Sequence, residues 1–341
     1  MAWIKELDAL RLVGIAAVVL LHATAAPVAG LPPTAPAWAV YWFLNRAVSF
    51  AAPFFFLISG LALTASHRER PLSCRRFWRH RFQSILPAYA VWTVVYLFYA
   101  ARIEGRRWNT ALSFLGELAG KLLTGRAFGH LYFCVVLLQL YLLFPYLLAL
   151  LQRGRSWQGR LLTAALLLQV IWNVKTAGLN RAWASVFLGY GVYFVAGCVA
   201  ALHLEVLTQV GRKRQAALAG LFVLLLAVVA VPQVSLALPA ALRQLAVILY
   251  AVVAFWLFFV LSAGWAGRGW PSLNRAVFFI YLAHPLVLGW TGFLLASMGV
   301  ERHLVLVGAK LVAGLVVPWL VYAGWQRLER RLPHLRYDAR G

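Results

Sequence analysis

Near the start of the chain, KELDALRLVGIAAVVLLHA places a carboxylate, a guanidinium and an imidazole in one apolar stretch: Asp8, Arg11 and His22. Eleven residues separate Arg11 from His22, so on an α-helix they lie within about 20° of the same face, with Asp8 three residues before Arg11 on that face. At 1.5 Å per residue, Arg11 sits about 6 Å into the helix and His22 about 22 Å, leaving roughly 16 Å between them along the axis. One face thus offers a fixed cation at one depth and a titratable base at another. An imidazole titrates near neutral pH and can take a proton from a hydroxyl, while a guanidinium suits phosphate or developing negative charge. Ionisable groups inside an apolar segment are costly, and they mark functional sites by default. The plainer reading is that Arg11 snorkels to head groups and His22 caps a helix contact.

The elements that position these groups are set by composition. Hydrophobic residues make up 63% of the 341, charged residues 12%, and the mean hydropathy is +0.79. A soluble domain carries roughly a quarter charged residues. Runs of about 20 apolar residues recur along the chain, each long enough to cross a bilayer as a helix. The pattern predicts an all-α polytopic membrane protein of about ten spans, near 7–26, 40–64, 83–101, 130–151, 160–176, 183–203, 215–232, 241–262, 276–297 and 303–325. The shorter stretch 110–124, with Glu117 four residues before Lys121, reads as an amphipathic helix at the interface. The first run carries Asp8, Arg11 and His22 and precedes no small-residue cleavage pattern, so it is expected to be a retained helix rather than a leader. Residues 1–330 are expected to form a single membrane domain and 331–341 a short basic tail, with no appended soluble domain.

The net charge of +23 comes from 32 Lys and Arg against 9 Asp and Glu. With a cytoplasmic N-terminus, the inner segments hold Lys5, the Arg68–Arg81 group, Arg153, Arg155, Arg160, Arg212–Arg214, Arg268, Arg275 and the five arginines from Arg327 onward. That is twenty of the 32. About ten lie in outer segments, chiefly 102–126 and 175–181. The bias predicts both termini on the cytoplasmic side, and anionic head groups account for the basic loops without nucleic acid. Cys74, Cys134 and Cys198 are widely spaced and match neither a disulfide framework nor a metal-ligand pattern, so no metal is expected.

Taken together, five short motifs make the chain resemble the acyltransferase 3 family of membrane O-acyltransferases. They are Leu7-Asp8-Ala9-Leu10-Arg11 with His22; Phe55-Phe56-Leu57-Ile58-Ser59-Gly60; the basic run Phe77-Trp78-Arg79-His80-Arg81 leading to Pro87; His130-Leu131-Tyr132-Phe133; and Ile280-Tyr281-Leu282-Ala283-His284-Pro285. Family members often carry Arg where Ser84 stands and Trp where Tyr132 stands. The resemblance implies an acyl-CoA donor, acetyl-CoA first and succinyl-CoA next, used as a co-substrate with no permanently bound cofactor. It also implies a hydroxyl acceptor on an extracytoplasmic glycan or lipid-linked saccharide, in a bacterial inner membrane.

On that resemblance His22 is the expected general base, or the residue that carries the acyl group. Arg11 binds donor phosphate or steadies thioester charge, and Asp8 orients Arg11. Arg79 and Arg81 are expected at the CoA phosphates. Arg75 and Arg76 divide between that role and a topology signal, and Ser59 between donor contact and packing at Gly60. His130, Tyr132, Tyr281, His284 and Glu117 are acceptor-side candidates. His130 reads alternatively as a wetted interfacial histidine, and His284 as a structural partner for the helix break at Pro285. No carboxylate at membrane depth pairs clearly with His22; Glu117 in the outer amphipathic segment and Glu301 are the candidates. Two other classes fit parts of the pattern. A transporter or flippase shares the polar residues at depth, but no inverted repeat is visible. A lipid-linked glycosyltransferase would be expected to show clustered carboxylates, and none occurs.

Overall fold

The computed structural model describes residues 4–69, 71–105, 107–179, 181–209, 211–264, 271–300 and 302–331. Among them every regular element is helical. In chain order the α-helices are α1 (Glu6–Gly30), α2 (Pro36–Ala47), α3 (Ala51–His67), α4 (Cys74–Glu104), α5 (Ala111–Thr124), α6 (Tyr132–Leu151), α7 (Arg155–Thr176), α8 (Gly191–Leu202), α9 (Leu204–Thr208), α10 (Arg212–Ala230), α11 (Pro232–Ala237), α12 (Ala240–Ser262), α13 (Pro271–Ser297) and α14 (His303–Arg331). Two short 3-10 turns, Arg181–Ser185 and Phe187–Gly189, lead into α8.

Among the described residues, eight segments are long and apolar enough to cross a membrane: Glu6–Gly30, Pro36–His67, Cys74–Glu104, Tyr132–Leu151, Arg212–Ala230, Ala240–Ser262, Pro271–Ser297 and His303–Arg331. The chain is an integral, multi-pass, all-α membrane protein. Only 11% of the apolar window of α10 and 17% of that of α14 is buried inside the protein, so these helices turn most of their apolar surface outward. A surface of Leu221, Val223, Leu224, Val312, Leu320 and Val321 at this exposure requires lipid rather than water.

Two of the ten predicted spans have no counterpart among these eight. The segment at 160–176 is the helix α7, but Arg155, Arg160, Gln158, Gln169, Asn173 and Lys175 keep it below the apolarity of the other spans. The segment at 183–203 is not one helix: the two 3-10 turns precede the 12-residue α8. Irregular backbone inside a membrane protein must have its polar groups satisfied from within. Gln139 of α6 does this, donating to the Ser185 carbonyl at 2.8 Å and accepting from the Phe187 N–H at 2.9 Å. Gln169 of α7 accepts from the Val192 N–H at 3.1 Å. The predicted span 40–64 is likewise interrupted between Ala47 and Ala51, with Pro53 in the first turn of α3, where its missing N–H costs nothing.

The described residues group into two compact units. One is built from the chain up to Ser59 and from His203 onward, the other from Gly60 to Leu202. In the first unit α1 packs against α2, α12, α13 and α14. A Cβ added to Gly314 would lie 2.8 Å from Val19 Cγ1 and 3.0 Å from Leu288 Cδ2, so only a glycine lets α14 approach α1 and α13 so closely. Phe50, Phe54, Tyr250, Phe255 and Phe258 form an aromatic core, and the Tyr250 hydroxyl donates to the Ala47 carbonyl at 2.6 Å where α2 ends. In the second unit a Cβ on Gly60 would fall on the Phe194 carbonyl and 3.0 Å from the Cys198 nitrogen, which fixes the crossing of α3 and α8. The amphipathic element predicted at 110–124 is α5. Thr110 and Ser113 cap it reciprocally, Gly125 closes it at φ 66°, and no residue in it is buried.

Candidate active site

Asp8, Arg11 and His22 all lie on α1, as their spacing requires. Arg11 Nη1 donates to Asp8 Oδ1 at 3.0 Å, and both side chains are about one-quarter to one-third exposed. The pair sits within the first two turns, where a carboxylate also complements the helix dipole. Asp8 therefore holds Arg11 through one guanidinium nitrogen.

The half-buried His22 lies two turns before the end of α1, and the backbone on either side of it is pinned. Asn45 Nδ2, from α2, donates to the Leu21 carbonyl at 2.8 Å and to Thr24 Oγ1 at 3.0 Å, and Thr24 Oγ1 donates to the Leu20 carbonyl at 2.8 Å. Its ring meets that of His284 on α13, with centroids 5.1 Å apart and planes inclined at 53°. Neither Asn45 nor Thr24 figures among the sequence candidates. An amide inside a 32-residue apolar segment is the signal that points to Asn45.

His284 is fully buried, and Tyr281 is 7% exposed with its ring centroid 6.1 Å from that of His284. His284 Nδ1 lies 2.7 Å from the Tyr281 carbonyl oxygen and 3.1 Å from that of Ile280, which makes it the structural partner of the proline break, while the ring reaches His22.

The remaining candidates belong to the second unit, except Ser59, which stands where α3 passes from the first unit to the second. Arg75, Arg76 and Arg79 are exposed in the first turns of α4. Arg81 differs: its guanidinium carbon lies 5.6 Å from the Phe77 ring centroid and 5.9 Å from that of Tyr141, and its Nε is buried. Trp78 Nε1 donates to the Tyr141 carbonyl at 3.2 Å, fixing α4 on α6 beside it. Ser59 is half-buried beside the Gly60 contact. His130 precedes α6 by two residues rather than opening it. It is 2% exposed, so it is a packed histidine and not a wetted interfacial one, and Tyr96 and Phe128 surround it at 5.0 and 5.9 Å between centroids. Tyr132 stacks on Tyr190 at 5.5 Å. Glu117 Oε2 accepts from Trp108 Nε1 at 2.8 Å. Glu301 lies outside the described residues. Among the described residues there is no cluster of three or more His, Cys, Asp or Glu side chains able to hold a metal ion.

The described residues thus form an all-α, multi-pass membrane protein with an ion-paired arginine and a histidine on one helix. The family model of an Acyltransferase domain, acyltransferase 3, matches residues 4–323, and the chain belongs to that family. The match covers nearly all of the chain, including each of the five motifs. No curated protein and no solved structure matches the chain.

Proposed function

We propose that this membrane acyltransferase moves an acyl group, acetyl first among the candidates, from cytoplasmic acyl-CoA to a hydroxyl of an extracytoplasmic glycan or lipid-linked saccharide, with both chain termini in the cytoplasm of a bacterial cell. The observation that supports the reading is the arrangement on α1: a guanidinium held by Asp8 and, eleven residues along the same face, an imidazole whose flanking backbone is pinned by α2 and whose ring meets that of His284 on α13. Their axial separation of roughly 16 Å is comparable with the length of a pantetheine arm. Arg11 then engages the donor and His22 stands where the thioester carbon arrives.

In this reading the acceptor hydroxyl gives its proton to His22 as its oxygen attacks the thioester carbonyl. The C–O bond forms, the C–S bond breaks, and the thiolate leaves with a proton returned by the imidazolium. The products are the ester and free CoA. Arg11 steadies negative charge through its fixed N–H donors. Arg79 and Arg81, with the exposed Arg75 and Arg76, are assigned to the CoA phosphates, and Ser59 to the donor side. His130, Tyr132, Tyr281 and Glu117 are assigned to the acceptor. A route through an acyl-His22 intermediate uses the same residues, with C–N bond formation preceding transfer.

The test is release of CoA thiol by purified protein given acetyl-CoA, beside His22→Ala and Arg11→Ala, with each variant checked for membrane insertion. Loss of general-base catalysis is expected to cost about 10²- to 10⁴-fold in His22→Ala. A stably inserted His22→Ala that keeps full activity would sink the assignment of His22. A wild type that binds no acyl-CoA at all would sink the donor.

A further inference from the structure

The helices α13 and α14 pair as an antiparallel hairpin with an even register. Gly292 meets Lys310, Leu288 meets Gly314, and the Phe279 ring lies 5.9 Å from that of Tyr322. One turn further on, at the end where α13 begins and α14 finishes, a cavity of about 140 Å³ is lined by Arg275, Gln326, Glu329 and Arg330. A single water needs roughly 10–15 Å³ of such space, so there is room for a tetrahedral anion. Gln326, Glu329 and Arg330 share one face of α14 by their i, i+3, i+4 spacing.

The uncharged and acidic walls are held by neighbours on α14. Trp325 Nε1 donates to Glu329 Oε1 at 2.7 Å, and Gln326 Nε2 donates to the Tyr322 hydroxyl at 2.9 Å. Neither Arg275 nor Arg330 forms an ion pair with any described carboxylate, Glu329 included. In the same turn as Arg275, both amide atoms of Asn274 are buried and, among the described residues, have no hydrogen-bond partner. Such groups are rare in folded proteins and ask for a water or a ligand. Helix dipoles do not account for the cluster. Arg330 complements the negative end of α14, but Arg275 stands near the positive end of α13, where a cation is disfavoured. A topology signal needs basic residues at this end and does not need two of them to share a cavity.

We infer that this cavity binds a phosphate group, with the guanidinium forks of Arg275 and Arg330 donating to its oxygens and Glu329 limiting the negative charge it accepts. The phosphate belongs either to CoA or to an anionic lipid. Trp38 Nε1 donates to the Val28 carbonyl near the end of α1, and the Tyr41 ring lies 6.3 Å from His303, the first residue of α14. α14 therefore runs opposite to α1, with Gly314 against Val19. Gln326 is about 18 Å of helix beyond Gly314, and Arg11 about 12 Å of helix before Val19. The cavity thus lies roughly 6 Å beyond Arg11, on the side away from His22. Only the assignment to CoA rests on the acyl-CoA reading of the protein; the site itself does not.

Binding to the purified full chain in an uncharged detergent tests this with CoA and phosphatidylglycerol as probes. Pantetheine and diacylglycerol serve as their counterparts without phosphate. Arg275→Gln and Arg330→Gln are each expected to weaken a phosphate-bearing probe about 10-fold and to leave its counterpart unchanged. Glu329→Gln, which can still accept from Trp325, should tighten the same probe. Arg331→Gln removes an equal charge outside the cavity and should change affinity by less than about twofold. A loss confined to CoA assigns the cavity to the donor, and a loss confined to phosphatidylglycerol assigns it to lipid. The inference is overturned if the cavity variants bind both probes as the wild type does, or if Arg331→Gln weakens them equally, which would mean a diffuse basic surface. A wild type that binds no CoA removes the donor reading, and the lipid measurements then decide on the site alone.

Discussion

Arg11 illustrates how a single charged side chain can be held in place in an apolar segment. Its bond to Asp8 at 3.0 Å uses one nitrogen and fixes the plane of the fork. A lysine at this position would keep the charge but lose the planar, two-pronged donor set. Arg11→Lys is therefore expected to raise KM for acyl-CoA by about 10-fold, near 1.4 kcal/mol, with a smaller change in kcat. Steady-state kinetics over a range of acetyl-CoA concentrations checks this, and an unchanged KM would move Arg11 from donor binding to a structural role. The residue types and spacing on α1 were legible in the sequence because eleven residues fix a helix face by geometry alone. The contact between His22 and His284 was not, since nothing local to either segment says which helices become neighbours. Asn45 escaped notice for a related reason: its partners are two backbone and hydroxyl oxygens 21 to 24 residues away.

Among the helices, those with uniform apolar runs were readable almost to the residue. The predicted 241–262 became Ala240–Ser262, and 276–297 became the C-terminal part of Pro271–Ser297. Where charge enters a helix the reading fell short. α4 begins at Cys74, nine residues before the predicted 83, because Arg75, Arg76, Arg79 and Arg81 sustain helix while failing any test of apolarity. The break between α2 and α3 escapes hydropathy, since Pro36–His67 still reads as one apolar segment of 32 residues despite Asn45 and Arg46. The glycine contacts carry the packing. Gly60→Val would drive two methyl groups into the backbone of α8 at Phe194 and Cys198. It is expected to destabilise the second unit by at least the 1–3 kcal/mol typical of overpacking. A thermal unfolding midpoint in detergent equal to that of the wild type would mean that α3 and α8 yield without cost.

For the whole molecule, the orientation proposed from basic residues can be tested with a cysteine already present. Cys134 and Cys198 are buried, whereas Cys74 is half-exposed at the start of α4, beside Arg75 and Arg76. With that loop in the cytoplasm, a membrane-impermeant maleimide should label the protein in inside-out vesicles and leave intact cells unlabelled. Cys74→Ser should abolish the signal. Labelling of intact cells would reverse the orientation and with it the side from which acyl-CoA is drawn. The family match and the apolar helices settle that this is a multi-pass membrane acyltransferase, and they do so independently of which way it faces.

The helix α5 has a consequence for how the protein can be handled. It buries no residue, it shows Leu112 and Leu123 at 79% exposure, and the Tyr89 hydroxyl holds its last turn by donating to the Leu122 carbonyl at 2.8 Å. A helix so attached takes its stability from whatever amphiphile surrounds it. Backbone amides of 111–124 should exchange with deuterium faster in a short-chain detergent than in lipid nanodiscs, while those of α12 exchange slowly in both. Equal protection of α5 in the two media would show that its own caps and the Tyr89 tether suffice. The choice of solubilising agent would then leave this side of the enzyme untouched.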